Sequence, residues 1–181
     1  MKKKISPPPP KRSAGANPPE RPRPVAKRHR RATVHADGNG PARIMVVDDD
    51  SDTVAVLCHH LEREGFAPIP ARSGAECLKL AKRGKVDVIL LDLMMPKMDG
   101  FAVLRALKND PRTAEIPVIM VTARDDIDAR AEGMRLGVSD FLPKPVFRRQ
   151  LALRIQSQLD IVRTARAAAA ALLRFERPKR K

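Results

Sequence analysis

The stretch VILLDLMMPKMDG, residues 88–100, decides the fold of this 181-residue chain. Its first four residues are apolar without polar alternation, which is typical of a strand buried on both faces, as in a parallel sheet. That strand ends on a carboxylate, Asp92, and Asp99 is placed to cap the helix that follows. An acid at the end of so apolar a strand must be explained by what the fold brings beside it.

Alternating strand and helix signals surround this stretch from residue 43 onward. Short apolar runs predict strands at 43–48, 66–70, 86–92, 116–122 and 139–143. Amphipathic runs predict helices at 52–65, 74–84, 100–109, 124–137 and 146–176. The alternation predicts an α/β fold: a doubly wound, five-stranded parallel sheet in the flavodoxin-like order 2-1-3-4-5, with a long C-terminal helix. Pro68 and Pro70 place the second strand at a sheet edge.

The net charge of +15 is concentrated at the two ends of the chain. Residues 1–42 hold 11 basic and 2 acidic side chains, and residues 146–181 hold 10 and 2. The proline-rich residues 1–42 predict a disordered basic extension, whereas 43–157 predict the folded domain and 158–181 a helical extension with a basic tail. Such ends attract polyanions through phosphate charge without sequence preference, so weak nucleic-acid contact is one open use.

Cysteine content and hydropathy indicate a cytoplasmic protein. Cys58 and Cys77 lie in stretches with helical periodicity and form no motif, so we expect both to be reduced and at least half-buried. No stretch approaches the roughly 18 consecutive apolar residues of a membrane-spanning helix. We therefore predict no membrane span.

Three carboxylates converge in the predicted fold. Asp48 and Asp49 end the first strand and Asp92 ends the third, which is a neighbour about 4.8 Å away in this sheet order. Carboxylates brought this close repel one another, and a divalent cation removes that penalty. A water-rich site made only of oxygen ligands suits Mg²⁺.

A hydroxyl and an ammonium group follow the next two strands. Thr122 ends the fourth strand, and Lys144 follows the fifth and precedes Pro145, where a cis bond would turn the lysine inward. We expect both groups to flank Asp92 on the side away from Asp48 and Asp49. A metal on one side and a cation on the other form a cradle for a phosphoryl group. An aspartate carboxylate can attack such a group and hold it as an acyl phosphate.

Four sequence blocks resemble the signature of the response-regulator receiver domain of bacterial two-component systems. The blocks are IMVVDDDSD, VILLDLMMPKMDGF, IPVIMVTA and GVSDFLPKPV, and they occur in order with the family's spacing over about residues 43–157. The resemblance implies that Asp92 is the phosphoacceptor. It also implies that Asp49 and Asp92 bind Mg²⁺ directly, Asp48 mainly through water, and the Met94 carbonyl completes the site.

The resemblance further implies how the phosphorylated state is read and how long it lasts. Lys144 and Thr122 would contact the phosphoryl oxygens, and Phe141 would be the aromatic that turns inward as Thr122 moves. Met94 and Arg124 occupy the positions that tune phosphoryl lifetime in the family. Neither side chain activates water well, which predicts a moderately long-lived acyl phosphate shielded by Met94.

The resemblance also implies partners rather than a turnover enzyme. The donor would be a histidine kinase or a phosphotransfer protein, and the protein would catalyse only its own phosphorylation and dephosphorylation. The surface of helix 4, strand 5 and helix 5 would contact a downstream protein. The apolar track of the last helix is weak for a coiled coil, so a homodimer and a solvated extension both remain open. The track comprises Leu151, Ile155, Val162, Ala165, Ala169 and Leu172.

Two other functions remain as alternatives. A nucleic-acid-associated regulator would use the two basic ends, although no helix-turn-helix or zinc pattern accompanies them. DSDTV, residues 50–54, matches the nucleophile motif of haloacid-dehalogenase-like aspartyl phosphatases, but that interpretation leaves Asp92 without a role. Asp50 and Asp52 also have an ordinary structural interpretation as caps of the first helix, and we favour Asp52 in that role.

Overall fold

The computed structural model describes residues 40–122 and 127–175. For Phe175 it describes the backbone alone. The predicted disordered extension over 1–42 therefore falls almost wholly outside the described residues. Arg124 and the basic tail from residue 176 onward lie outside them as well.

A parallel sheet forms the centre of the fold. Its strands are β1 (Arg43–Val47), β2 (Ala67–Ala71), β3 (Val88–Asp92), β4 (Val118–Thr122) and β5 (Asp140–Pro143). All neighbouring pairs are parallel, in the order β2-β1-β3-β4-β5. The predicted order is confirmed, and the proline-containing β2 lies at an edge, where a missing N–H costs no ladder bond.

Five helices complete the element order within the described residues. They are α1 (Ser51–Arg63), α2 (Gly74–Ala81), α3 (Gly100–Asn109), α4 (Ile127–Arg135) and α5 (Arg148–Phe175). The predicted caps of α2 and α3 are confirmed, because Ser73 Oγ accepts the N–H of Glu76 and Asp99 Oδ1 accepts the N–H of Ala102.

The prediction that Asp52 caps α1 is wrong. The cap is Asp50, whose backbone is extended and whose carboxylate accepts the N–H of Asp52 at 3.0 Å and the hydroxyl of Thr53 at 2.6 Å. Asp52 instead lies in the first turn of the helix, where an acid is favoured by the helix dipole.

The sheet is covered on both faces, which explains its uninterrupted apolar strands. Alternate residues of β1 point to opposite faces, so Met45 packs with α2 and α3 while Ile44 packs with α1 and α5. Leu151, Ile155 and Leu159 supply the buried stripe of α5. Over residues 148–174 the last buried residue of α5 is Leu159, although the helix backbone continues, as predicted, to Phe175.

The thiols and the hydropathy agree with the sequence. Cys58 is half-buried, Cys77 is buried, and both are unpaired. Among the described helices, none is both long and apolar enough to traverse a bilayer.

Candidate functional site

The strand register brings three acids together at the carboxyl edge of the sheet. Val47 pairs with Leu91, so the next residues, Asp48 and Asp92, end adjacent strands side by side. Each member of the trio of Asp48, Asp49 and Asp92 offers a carboxylate oxygen within 4.8 Å of the others. Asp48 and Asp92 are only 3% and 5% exposed, whereas Asp49 is open to solvent. Two of the acids are therefore held out of water, and the third faces it.

Lys144 forms ion pairs with both buried acids. Its Nζ donates to Asp48 Oδ2 at 2.7 Å and lies 3.0 Å from Asp92 Oδ1. The Lys144–Pro145 bond is cis, as anticipated. The expectation that the lysine would lie away from Asp48 is wrong, because the lysine bridges both carboxylates. The physical reason is that a buried carboxylate without a counter-charge is costly, and the lysine stem is long enough to cross the end of β3.

The remaining oxygens of the buried acids are held by backbone amides. Asp48 Oδ1 accepts the N–H of Asp50 at 2.9 Å, and Asp92 Oδ2 accepts the N–H of Met94 at 2.9 Å. Each buried carboxylate thus has one oxygen on an amide and the other on the lysine. Both side chains are fixed in orientation before any ligand binds.

Burial and charge act in opposite directions on the site's ionisation. Burial raises the pKa of Asp92, and the neighbouring Asp48 adds to that rise, while Lys144 and the Met94 amide partly oppose it. Burial alone would lower the pKa of Lys144, but its hydrogen bonds to Asp48 and Asp92 outweigh burial and raise it. The lysine therefore stays an ammonium ion in contact with a carboxylate that is poorly solvated.

The other predicted residues lie around this centre. Thr122 is buried at the end of β4, one residue beyond Val121, the register partner of Asp92. Its carbonyl accepts the N–H of Lys144 at 3.0 Å. Met94 follows Asp92 with 64% of its side chain exposed. Arg124 lies outside the described residues.

Phe141 lies in β5, below the site, and its ring is buried at 8% exposure. The ring packs on Gly133 of α4, and the guanidinium of Arg130 lies 5.3 Å from the ring centroid. Sequence reasoning missed Gly133 and Arg130, because nothing in the sequence of α4 marks which of its residues face β5.

A second glycine at the site also escaped the sequence argument. Gly100 begins α3 so close to β3 that an added Cβ would overlap the carbonyl oxygen of Asp92. Its N–H donates to the carbonyl of Leu93 at 2.9 Å. The Asp-Gly pair at 99–100 was the available signal, since a glycine after a cap residue allows close backbone approach.

The donor set fits a divalent cation of the Mg²⁺ type. All three candidate ligands are carboxylates, their oxygens lie within 4.8 Å of one another, and one of them is open to water. Hard oxygen ligands with room for water are what Mg²⁺ prefers. Asp48 and Asp92 each have both oxygens engaged, so a cation would share or replace some of those bonds, whereas Asp49 is open to solvent.

Comparison with known proteins identifies the family. The model of the response regulator receiver domain matches residues 44–156. Response regulator PleD of Caulobacter vibrioides is 46% identical over 116 residues, which cover 64% of this chain and 26% of PleD. The transcriptional regulatory protein CpxR of Escherichia coli K12 is 43% identical over 117 residues, 65% of this chain and 49% of CpxR. The chain thus spans about a quarter to a half of these relatives.

Solved structures agree with this match. A CheY-like receiver domain protein from Methanospirillum hungatei JF-1 superposes with a TM-score of 0.64 at 28% identity, covering 70% of this chain and 99% of that one. The receiver domain of a sensor histidine kinase from Pseudomonas aeruginosa PAO1 gives a TM-score of 0.63 at 25% identity, covering 67% and 99%. That protein is described with a magnesium ion coordinated in its active site cleft. The present chain belongs to the response regulator receiver domain family of two-component systems.

Proposed function

We propose that Asp92 accepts a phosphoryl group in a Mg²⁺-dependent reaction and that the resulting acyl phosphate signals to a protein partner. A receiver domain implies a histidine kinase or a phosphotransfer protein as the donor. The observation that supports the proposal most strongly is the ammonium group of Lys144 held against two buried carboxylates, Asp48 and Asp92. An ion pair of this kind, at a sheet edge with a third acid beside it, is suited to binding a phosphoryl group.

The transfer would be a displacement at phosphorus. An oxygen of Asp92 forms the new P–O bond while the P–N bond to the donor imidazole breaks, and its electron pair remains on the donor nitrogen. Lys144 would move from Asp92 Oδ1 to a phosphoryl oxygen, and the hydroxyl of Thr122 would contact another. The Met94 amide would keep its bond to Oδ2, which fixes the carboxylate during attack.

Mg²⁺, when bound, would neutralise the charge of the acids and of the incoming phosphoryl oxygens. Asp49 and Asp92 would ligate it directly, the Met94 carbonyl would add a third oxygen, and Asp48 would act mainly through water. The solvent exposure of Asp49 supports its direct role, because its carboxylate is open to an entering cation.

Phosphorylation would act by shifting a population between two arrangements of Thr122 and Phe141. Thr122 would move toward the phosphoryl group, and the ring of Phe141 would follow it inward. The downstream protein would contact the surface of α4, β5 and α5. On that surface Arg130 already covers the Phe141 ring, and Arg154 pairs with Asp140 at 3.0 Å. The ring's position would thus change the charged surface that a partner meets.

The test is incubation with Mg²⁺ and acetyl phosphate, followed by intact mass spectrometry. The wild type should gain one phosphoryl group, Asp92→Asn should gain none, and omission of Mg²⁺ should prevent the reaction. Asp99→Asn is the matched control, because asparagine caps a helix about as well as aspartate and α3 should be undisturbed. Labelling of Asp92→Asn, or equal labelling of the wild type in a chelator, would contradict the proposal.

The lifetime of the phosphoryl group tests the tuning role of Met94. The exposed Met94 side chain would shield the acyl phosphate, so Met94→Asn should shorten its half-life by placing a water-binding amide there. The matched change at the exposed Met134 should leave the half-life as it is. Arg124, the second tuning position, remains a sequence-based prediction.

The two alternatives stand differently. The phosphatase interpretation is disfavoured, because the family match is to receiver domains and because Asp50, the nucleophile that interpretation requires, is the cap of α1. The use of the basic ends on nucleic acid concerns residues that are mostly outside the described part of the chain, and it remains a prediction. So does the cytoplasmic location.

A further inference from the structure

The distal half of α5, defined here as residues 160–174, continues beyond the packed core. Its last buried predecessor is Leu159, and every residue over 164–174 is exposed. α5 begins next to Lys144 at the carboxyl edge of the sheet. Its packed part, residues 148–159, has twelve residues and is about 18 Å long at roughly 1.5 Å per residue. Five-residue strands are about 17 Å long, so the distal half extends past the amino-terminal edge of the sheet.

One side of the distal half is apolar. Ile161, Ala165, Ala168 and Leu172 follow one another at spacings of four, three and four residues, which place them on a single helical face. Ile161 is 58% exposed and Leu172 is 66% exposed, and both alanines are exposed. These four residues are called the apolar face below. A contiguous apolar face, unlike a single exposed leucine, marks a surface that interacts with a partner or a membrane.

The opposite side is cationic. Arg163, Arg166 and Arg174 are called the arginine stripe below, and Arg163 lies two residues, or about 200° around the helix, from Ile161. Asp160 is the only acid of the distal half, and it is bonded to Arg163 at 3.2 Å. Residues 160–181 together hold 7 basic and 2 acidic side chains. The arginines thus lie on the side opposite the apolar face, although Leu173, 66% exposed and about 120° from Ile161, extends apolar surface toward them.

Three occupants compete for this helix. A second copy would set two cationic segments side by side over a seam in which two of four positions are alanine. A nucleic acid would engage the arginine stripe and leave the apolar face in water. An anionic lipid surface would use both, because the apolar face enters the boundary between headgroups and acyl chains while arginines attract the phosphates.

We propose that the distal half of α5 is an amphipathic anchor that binds an anionic lipid surface. The anchor lies at the amino-terminal edge of the sheet, whereas Asp92 lies at the carboxyl edge. The acid trio therefore stays open to a protein donor while the helix is bound. This inference is independent of the phosphoryl chemistry proposed above.

The test is co-sedimentation of the full chain with lipid vesicles. Vesicles of phosphatidylcholine with phosphatidylglycerol should bind the protein, those of phosphatidylcholine alone should not, and added salt should weaken binding. Residues 1–42 also carry basic charge, so the apolar face provides the decisive variants. Ile161→Gln/Leu172→Gln should weaken binding at least about tenfold, because two large apolar side chains no longer enter the lipid. Leu153→Gln, at a leucine 72% exposed earlier in α5, should bind like the wild type.

Two further variants complete the test. Neutralising the arginine stripe with glutamine should also weaken binding, whereas Arg72→Gln/Arg83→Gln, at exposed arginines elsewhere, should not. The chain has no tryptophan, so Leu172→Trp gives a single reporter whose emission should shift to the blue on anionic vesicles.

Several results would overturn the anchor. Equal binding of Ile161→Gln/Leu172→Gln and wild type to anionic vesicles would mean that the apolar face is not used. A dimer in sedimentation velocity that this variant dissociates, with no vesicle binding, would assign the face to a second copy. Retention on DNA without vesicle binding would assign the arginine stripe to nucleic acid. Circular dichroism of each variant checks that α5 remains helical.

Discussion

Replacement of Gly133 by alanine tests how tightly the ring of Phe141 is confined. A Cβ added at Gly133 would lie 2.5 Å from Phe141 Cζ and 3.3 Å from Cε1, with Val138 Cγ1 at 3.4 Å. Carbon atoms in contact normally sit about 3.5–4.0 Å apart, so the methyl group overlaps the ring by about 1 Å. The ring is buried and covered by Arg130, and it must move for the methyl group to fit.

Two energies compete in this variant. Overpacking a buried site costs about 1–3 kcal/mol, whereas alanine in a helix interior is favoured over glycine by about 1 kcal/mol. We therefore expect Gly133→Ala to lower the free energy of unfolding by about 1 kcal/mol. Urea titration followed by circular dichroism measures this change. Ala131→Gly, at an exposed position of the same helix, measures the helix term alone.

A double mutant separates the clash from other effects. In a Phe141→Leu background the ring atom that meets the methyl group is absent, so Gly133→Ala should be neutral or stabilising by up to about 1 kcal/mol. The two changes should therefore be non-additive by about 1–2 kcal/mol. An increase in stability from Gly133→Ala in the wild-type background would refute the confinement of the ring by α4.

Three other predictions concern the site, a cap and the thiols. Lys144→Met leaves two buried carboxylates without a cation and should lower the free energy of unfolding in Mg²⁺-free buffer by on the order of 2 kcal/mol. The control Lys79→Met, at an exposed lysine, should change it little. Equal effects of the two variants in urea titration would contradict the bridging role. Ser73→Ala removes the acceptor of an N–H bond at the start of α2 and should cost about 1 kcal/mol, while Ser73→Asn should cost little, and thermal unfolding compares the two. Burial raises the pKa of the Cys77 thiol to about 12, so the reactive thiolate should stay scarce through pH 9, and iodoacetamide should modify Cys77 only after unfolding. Burial also raises the pKa of the half-buried Cys58 thiol, which should react slowly in the folded protein but before Cys77. The reverse order in peptide mass mapping would contradict the placement of Cys77 in the core.

The sequence alone determined which elements form and which side chains meet at the carboxyl edge. Strands without alternation require a sheet covered on both faces, and parallel strands all end at one edge. An acid, a hydroxyl or a lysine that ends such a strand must therefore lie at that edge. This is why Asp92, Thr122 and Lys144 could be placed together before any coordinates were known.

The tertiary structure decided how those side chains pair and what supports them. The lysine binds Asp48, 96 positions earlier in the chain, as well as Asp92, a choice that depends on how far β1 and β5 stand apart. The contact between Gly133 and Phe141 and the end of the α5 core at Leu159 depend equally on how helices pack against the sheet. Local periodicity gives the face of a helix that is apolar, but the extent of its burial and the partners it meets follow from long-range packing.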